Sequence, residues 1–226
     1  MNYLIPRLFK CFRYGGLHGH FSQYGEDVFL HKFFRGQKNG FYIDVGAHHP
    51  FRLSNTAFLW LMGWNGVNID ASAEAIRLFQ LVRPRDLNIH AAIVPSFRAA
   101  ESPEIEFFSS RDIDNSATCD ATLASERGYS HSVKVPCRSL RSVVSDAAQK
   151  SDQNFDFLNI DIEGLDEPVL EDIEDWAIKP RVIMVEIYAR TIREILLKPT
   201  VLNLERQGYS LVERTGHTAI FLKHSM

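Results

Sequence analysis

The 226 residues suffice for one large domain or two small ones, and 45% hydrophobic, 23% charged and 12% aromatic residues exclude disorder, collagen and coiled coil. A formal net charge of −3 leaves no basic excess with which to hold nucleic acid. Three widely spaced cysteines, Cys11, Cys119 and Cys137, make neither a disulfide framework nor a metal knuckle, which points to a reducing cytoplasm.

Residues 1–20 read as an N-terminal segment ahead of a domain over 21–226. Arg7, Lys10 and Arg13 interrupt any secretory apolar run. A capping segment is the simpler reading than a membrane-touching basic helix. Phe21–Phe34 reads as a helix, with Ser22 as its N-cap and Glu26 and Asp27 in its first turn. Phe41–Val45 is a short strand leading into Gly46. Ser54–Met62 is a helix closed by Gly63. The apolar run there, Phe58–Trp64, falls far short of the roughly 18 residues that span a membrane. Gly66–Asp70 is a second strand, Ser72 opens a helix through Leu81, and Asn88–Val94 is a third strand.

Residues 95–153 are more polar and carry Pro95, Pro103 and Pro136. They read as an insertion carried on the core sheet, with strands at Glu104–Phe108 and Ser132–Val135 and a helix at Leu140–Ala148. Phe155–Ile162 resumes the core as a buried strand, Asp166–Glu174 is helical, Arg181–Tyr188 is a fifth strand and Thr200–Gln207 a helix stopped by Gly208. Tyr209–Glu213 and Thr218–Lys223, joined by a short Gly-containing turn, form an antiparallel hairpin. Strands alternating with helices predict an α/β fold, a mostly parallel sheet covered on both faces. Ligands of such sheets bind outside the carboxyl ends of the strands, which directs attention to the residues after Val45, Ile69, Val94, Ile160 and Glu186.

At the first of these ends stand Asp44, Val45, Gly46, Ala47, His48, His49 and Pro50. Gly46 permits a tight turn and a close approach to a ligand. A dinucleotide fingerprint needs glycines where Ala47, His48 and Pro50 stand, so a pyrophosphate site is disfavoured. Asp70 closes the second strand, the place from which an acid grips both hydroxyls of a nucleoside ribose; the plainer alternative is a helix cap shared with Ser72. Asp161 and Glu163 lie two apart near the end of an otherwise apolar strand and face one side, a pair of like charges that requires a cation, a proton or hydrogen-bond donors. His48 and His49 lie in the right loop to act as a base. Glu186 could face the pocket or a backbone amide. Asp112, Asp114, Asn115 and Ser116 suit a lid over substrate less well than a solvated turn.

These motifs together resemble the FkbM family of S-adenosylmethionine-dependent methyltransferases: Phe21-Ser22-Gln23-Tyr24-Gly25-Glu26-Asp27, Tyr42 through Pro50, Ser54-Asn55-Thr56, Gly63 through Asp70, and Asp156 through Gly164. The resemblance runs from Phe21 to the end. It implies a Rossmann-like class I methyltransferase fold, a seven-stranded mostly parallel sheet with an antiparallel last strand. It also implies O-methylation, often of sugar hydroxyls in surface-glycan or natural-product pathways. It places Asp44, Gly46 and Ala47 in the cofactor loop and Asp70 in the ribose grip, with Gln23, Ser54, Asn55, Ala71 and Asp161 as further cofactor contacts. Asp161 and Glu163 match the acidic strand-end motif. The sequence departs in its two histidines, where many members carry Asn and a further Gly, and in Arg141, where an Asp is common.

The expected function is therefore an O-methyltransferase using S-adenosylmethionine on a hydroxyl of a saccharide or sugar nucleotide. Catalytic work is expected of Asp161, Glu163, His48 and His49. No metal ligand is assigned, since a divalent site at Asp161 and Glu163 ranks behind direct contacts to acceptor and cofactor. A homo-oligomer is compatible with the sequence. The alternatives are an NAD-dependent oxidoreductase, disfavoured by the missing glycines and the final hairpin, and a non-catalytic nucleoside-binding module.

Overall fold

The computed structural model describes residues 10, 20–110, 114–150 and 154–224. The N-terminal segment, apart from residues 10 and 20, lies outside the described residues, as do Cys11 and Asp112. In chain order the elements are α1 (Glu26–Phe33), β1 (Phe41–Val45), α2 (Ala57–Leu61), β2 (Asn65–Asp70), α3 (Ala73–Val82), β3 (Leu87–His90), β4 (Ala92–Val94), α4 (Ser96–Glu101), β5 (Glu104–Phe108), α5 (Ala121–Glu126), β6 (Ser132–Ser139), α6 (Leu140–Lys150), β7 (Phe155–Ile160), β8 (Val182–Glu186), α7 (Ile192–Leu196), α8 (Pro199–Arg206), β9 (Tyr209–Thr215) and β10 (Thr218–Lys223).

Seven strands make one sheet in the order β3-β2-β1-β7-β8-β10-β9, parallel except where β10 pairs with β8 and β9. This is the mixed α/β, Rossmann-like architecture with the antiparallel hairpin at its end. Side chains alternate across the sheet, which is why successive strand residues enter different cores. Ile43 of β1, Leu158 of β7 and Ile183 of β8 pack on one side with Val143 and Val144 of α6 and Val201 and Leu204 of α8. Their neighbours Tyr42, Phe157 and Met184 pack on the other side with Leu30 of α1, Leu59 of α2 and Trp64. The strand order reverses between β1 and β7, and that reversal opens the crevice at the carboxyl ends.

Four sequence expectations are corrected. The first helix begins at Glu26, not Phe21: Gly25 takes a left-handed φ of 90°, and Ser22 instead folds its loop by accepting the Gly25 and Asp27 amides and donating to Asp27. The third strand is broken at Ala91, whose amide turns back to the Asp70 carbonyl, so β3 and β4 belong to different sheets. Residues 166–174 form two short 3-10 turns, Pro168–Leu170 and Ile173–Asp175, in place of a helix. The strands of the 95–153 stretch pair with β4 in a second sheet of order β4-β6-β5, not with the seven-stranded one. Among the described residues no helix is long and apolar enough to cross a membrane.

Candidate functional site

One cavity of about 1190 Å³, its outer part open to solvent, lies over the carboxyl ends of β1, β2, β7 and β8. It brings together nearly every residue that the sequence singled out: Gln23, Asp44, Gly46, Ala47, His48, Ser54, Asn55, Asp70, Ala71, Asp161 and Glu163 all line it. His49 does not.

The first loop is held by backbone. The amides of Gly46 and Ala47 both donate to the Ile69 carbonyl, at 2.9 and 3.1 Å, and the Asp161 amide donates to the Val45 carbonyl at 3.0 Å. Gly46 has φ 75°, and a Cβ there would lie 1.7 Å from the Asp161 carbonyl oxygen. Glycine is thus required by the approach of the β7 end, and the obstacle is protein backbone.

Asp44 is buried at the cavity floor and locked. Thr56 donates to one carboxylate oxygen at 2.5 Å and Asn159 to the other at 3.0 Å. Asn55 in turn donates to Asn159 at 2.8 Å, and Arg83 donates to Thr56 at 2.9 Å. Arg83 is itself wholly buried and also reaches the Tyr42 and Ser54 hydroxyls and the Pro50 carbonyl. Burial pushes the Asp44 carboxyl up, opposed by the Thr56 bond, the Arg83 charge and the Asn159 bond.

Asp70 presents its carboxylate at the end of β2. One oxygen accepts the His48 amide at 2.8 Å and the other the Ser72 amide at 2.7 Å. Enclosure raises its pKa to about 6 against those two bonds. The helix cap is a separate group: the Ser72 hydroxyl accepts the Ala75 amide at 3.2 Å.

The two histidines separate. His48, at φ 53°, half-exposed, lines the cavity. His49 is buried, and its Nδ1 accepts the amides of Phe51 and Arg52, both at 3.0 Å. Burial, with the charge of Arg52, lowers its pKa to about 3. Its acceptor nitrogen is spent on the backbone and its ring lies outside the cavity lining, so His49 is corrected from candidate base to structural residue.

At the opposite end the fold adds an acid to Asp161 and Glu163. The third member is Glu186, from the end of β8; one carboxylate oxygen of each lies within 4.8 Å of the others. The Glu186 Oε2 is buried with no hydrogen-bond partner. Its pKa rises to about 7, through burial first and then the charges of Asp166 and Glu163. Asp161 is exposed to the open cavity; the protein mass around its carboxyl, then the charges of Glu186, Asp166 and Glu163, push its pKa upward, a shift that the solvent reaching it moderates. Among the described residues this is the one group of three or more His, Cys, Asp or Glu side chains close enough to hold a cation together. A cation is already there: Arg127, from just beyond α5, pairs with Glu163 at 2.6 Å. Asp166 serves the backbone, accepting the Ile162 and Gly164 amides at 2.7 and 2.9 Å.

Tyr188, His217 and Thr118 also line this end, and Cys119 lines the cavity near Asp70; none was singled out from the sequence as a site residue. Asp114 forms the turn that its sequence suggests, accepting from Ser110 and Ser116, which holds its carboxyl well below the usual range; Asp114 and Asn115 nonetheless wall the cavity.

A search of curated proteins finds no match. A family model described as Methyltransferase FkbM domain matches residues 44–211, a span that takes in the Gly46 loop, Asp70, the Asp161–Glu163 motif and Glu186. That span covers most of the chain, and with the seven-stranded sheet and the cavity at its carboxyl edge it establishes that this protein belongs to the FkbM methyltransferase family.

Proposed function

We propose that the protein is an S-adenosylmethionine-dependent O-methyltransferase of the cytoplasm, acting on a hydroxyl of a saccharide or sugar nucleotide. The observation that carries the cofactor is Asp70. Each of its oxygens accepts one backbone amide, which fixes the carboxylate and leaves a lone pair on each for a ribose hydroxyl. Gln23, Asp44, Gly46, Ala47, Ser54, Asn55 and Ala71 line the cavity with it and fit as the remaining cofactor wall. An NAD reading lacks the glycines at Ala47, His48 and Pro50 that would cradle a pyrophosphate.

S-adenosylmethionine would supply a methyl group activated on a sulfonium sulfur. The residues of this chain hold the acceptor in line with it and exclude water. Asp161 opens on the cavity beside Glu163 and Glu186 and is the first candidate base. Glu163, fixed by Arg127, orients the acceptor beside it, and His48 is the second candidate base. No metal is assigned a step.

The test is transfer of tritium from methyl-labelled S-adenosylmethionine to a panel of saccharides. Asp161→Asn should lower kcat by about 100-fold or more, with cofactor affinity changed less than about threefold. Equal loss in both would refute the assignment of Asp161 to the reacting hydroxyl.

A further inference from the structure

The mouth of the cavity is rimmed by large apolar side chains that the core does not use. Leu53 and Tyr188 line the cavity yet are 44% and 49% exposed, which sets them at its opening. Leu53 is held out in solvent by a left-handed backbone, φ 53°, a conformation that strains a leucine. Tyr188 turns its hydroxyl inward to Glu163 Oε2, 3.5 Å away, so the clustered carboxylates lie inside this rim.

On the Tyr188 side the rim continues into α7. The Thr191 hydroxyl accepts the Glu194 amide at 3.2 Å, and the Glu194 carboxylate accepts the Arg190 amide at 2.7 Å, a reciprocal cap that fixes the start of the helix. Ile195 is fully buried and seats the helix on the core. At about 100° per residue, Ile192 and Leu196 then share one side, Arg193 stands beside them and Glu194 lies opposite. Ile192, Leu196 and the following Leu197 are 55%, 43% and 70% exposed. The helix thus shows solvent three aliphatic side chains and an arginine, while its one acid is spent on the backbone. Arg190, just before it, and Arg52, beside Leu53, are exposed as well. None of these three arginines is in an ion pair with a described residue, although the chain as a whole carries a net charge of −3.

The occupant of this face has to supply apolar cover for the aliphatic side chains and negative charge for the arginines. A protein partner or a second copy of the chain needs roughly 800 Å² of continuous surface on each side. This face is instead a ring around an opening, and a protein seated on it would seal the cavity. A bilayer makes neither demand. Each side chain sinks separately into the boundary between headgroups and acyl chains, and lipid phosphates pair with the guanidinium forks.

We propose that the rim formed by Leu53, Tyr188 and α7 is a docking face for an anionic lipid bilayer. Ile192, Leu196 and Leu197 enter the headgroup boundary, Arg52, Arg190 and Arg193 meet the lipid phosphates, and the cavity opens toward the membrane. The inference goes beyond the methyltransferase reading and does not depend on it.

The experiment is co-sedimentation of the full chain with vesicles of phosphatidylcholine alone and of phosphatidylcholine and phosphatidylglycerol in equal parts. The mixed vesicles should bind at least about tenfold more tightly, and that binding should weaken as salt rises. Leu196→Ser with Leu197→Ser should weaken it by about tenfold or more, and Arg190→Gln with Arg193→Gln by about tenfold, with Tm unchanged because all four side chains face solvent. Arg7→Gln with Arg13→Gln, in the basic N-terminal segment, should change it by less than about threefold. Four results would overturn the proposal: no binding to the mixed vesicles, equal binding to both kinds, binding that the N-terminal pair abolishes and the α7 pairs leave intact, or a dimer in sedimentation velocity that Leu196→Ser with Leu197→Ser dissolves.

Discussion

Gly46→Ala offers a direct test of how the first loop is built, because the structure supplies its own control. At Gly46 an added Cβ would lie 1.7 Å from the Asp161 carbonyl oxygen, and the φ of 75° is strained for any other residue. At Gly208 φ is 82°, but nothing lies within 4 Å of an added Cβ. Gly208→Ala therefore measures the left-handed strain alone, about 1–2 kcal/mol. Gly46→Ala carries that strain plus a displacement of the loop from the end of β7 that the overlap makes unavoidable. Such a displacement strains three backbone bonds: Gly46 and Ala47 to Ile69, and Asp161 to Val45. At about 1 kcal/mol each they bring the total to about 4–5 kcal/mol. At roughly 2–4 °C per kcal/mol for a chain of this size, Gly208→Ala should lower Tm by a few degrees and Gly46→Ala by about 8–20 °C. Thermal unfolding followed by circular dichroism measures both. A Gly46→Ala protein that melts with Gly208→Ala would refute the claim that backbone, not ligand, requires glycine there.

Other consequences follow from the buried charges. Asp70 titrates near pH 6, raised chiefly by enclosure, so it is ionised at pH 7.5 and largely protonated at pH 5. A protonated carboxyl accepts the ribose hydroxyls poorly, so affinity for S-adenosylmethionine should fall by about tenfold from pH 7.5 to pH 5, and calorimetry on Asp70→Asn should find that dependence flattened. Arg83→Met removes the cation that offsets buried Asp44 and Asp86 and leaves Thr56 without its donor; denaturant unfolding should show a loss of about 3–5 kcal/mol. Exhaustive chelation should leave methyl transfer unchanged, since Arg127 already balances Glu163; activity that vanishes with chelator and returns with Mg²⁺ would assign Asp161, Glu163 and Glu186 to a metal.

Local chemistry made much of this fold readable from sequence, and long-range pairing hid the rest. β1 occupies the span that its apolar run and Gly46 mark out, Ser72 caps α3 as its hydroxyl suggests, and the short turn after β9 produces the hairpin. The first helix starts late because Ser22 and Asp27 satisfy each other in the loop before it, a choice that composition cannot reveal. The helix expected over 166–174 gives way to 3-10 turns where Asp166 is spent on the Ile162 and Gly164 amides. In the site, Asp44, Gly46, Asp70 and Asp161 were legible as strand-end residues. Gly46 was expected to permit a tight turn and a close approach to a ligand; its φ of 75° bears out the turn, and the group that comes close is the Asp161 carbonyl. His48 and His49 look alike in sequence and part because one φ is positive and the other ring caps a turn. Glu186 carried only the signal of ending a strand, while Tyr188 and His217 meet through the β8–β10 pairing, which no local pattern encodes.

The central claim is that Asp70 holds the ribose of S-adenosylmethionine at the carboxyl end of β2. Calorimetric titration of S-adenosylmethionine into the intact protein and into Asp70→Ala tests it most directly. One cofactor should bind per chain, with no heat from NAD, and Asp70→Ala should weaken binding by about 1.5–3 kcal/mol, the worth of hydrogen bonds to a charged group. Undiminished affinity in a folded Asp70→Ala protein, or binding of NAD in place of S-adenosylmethionine, would contradict the account.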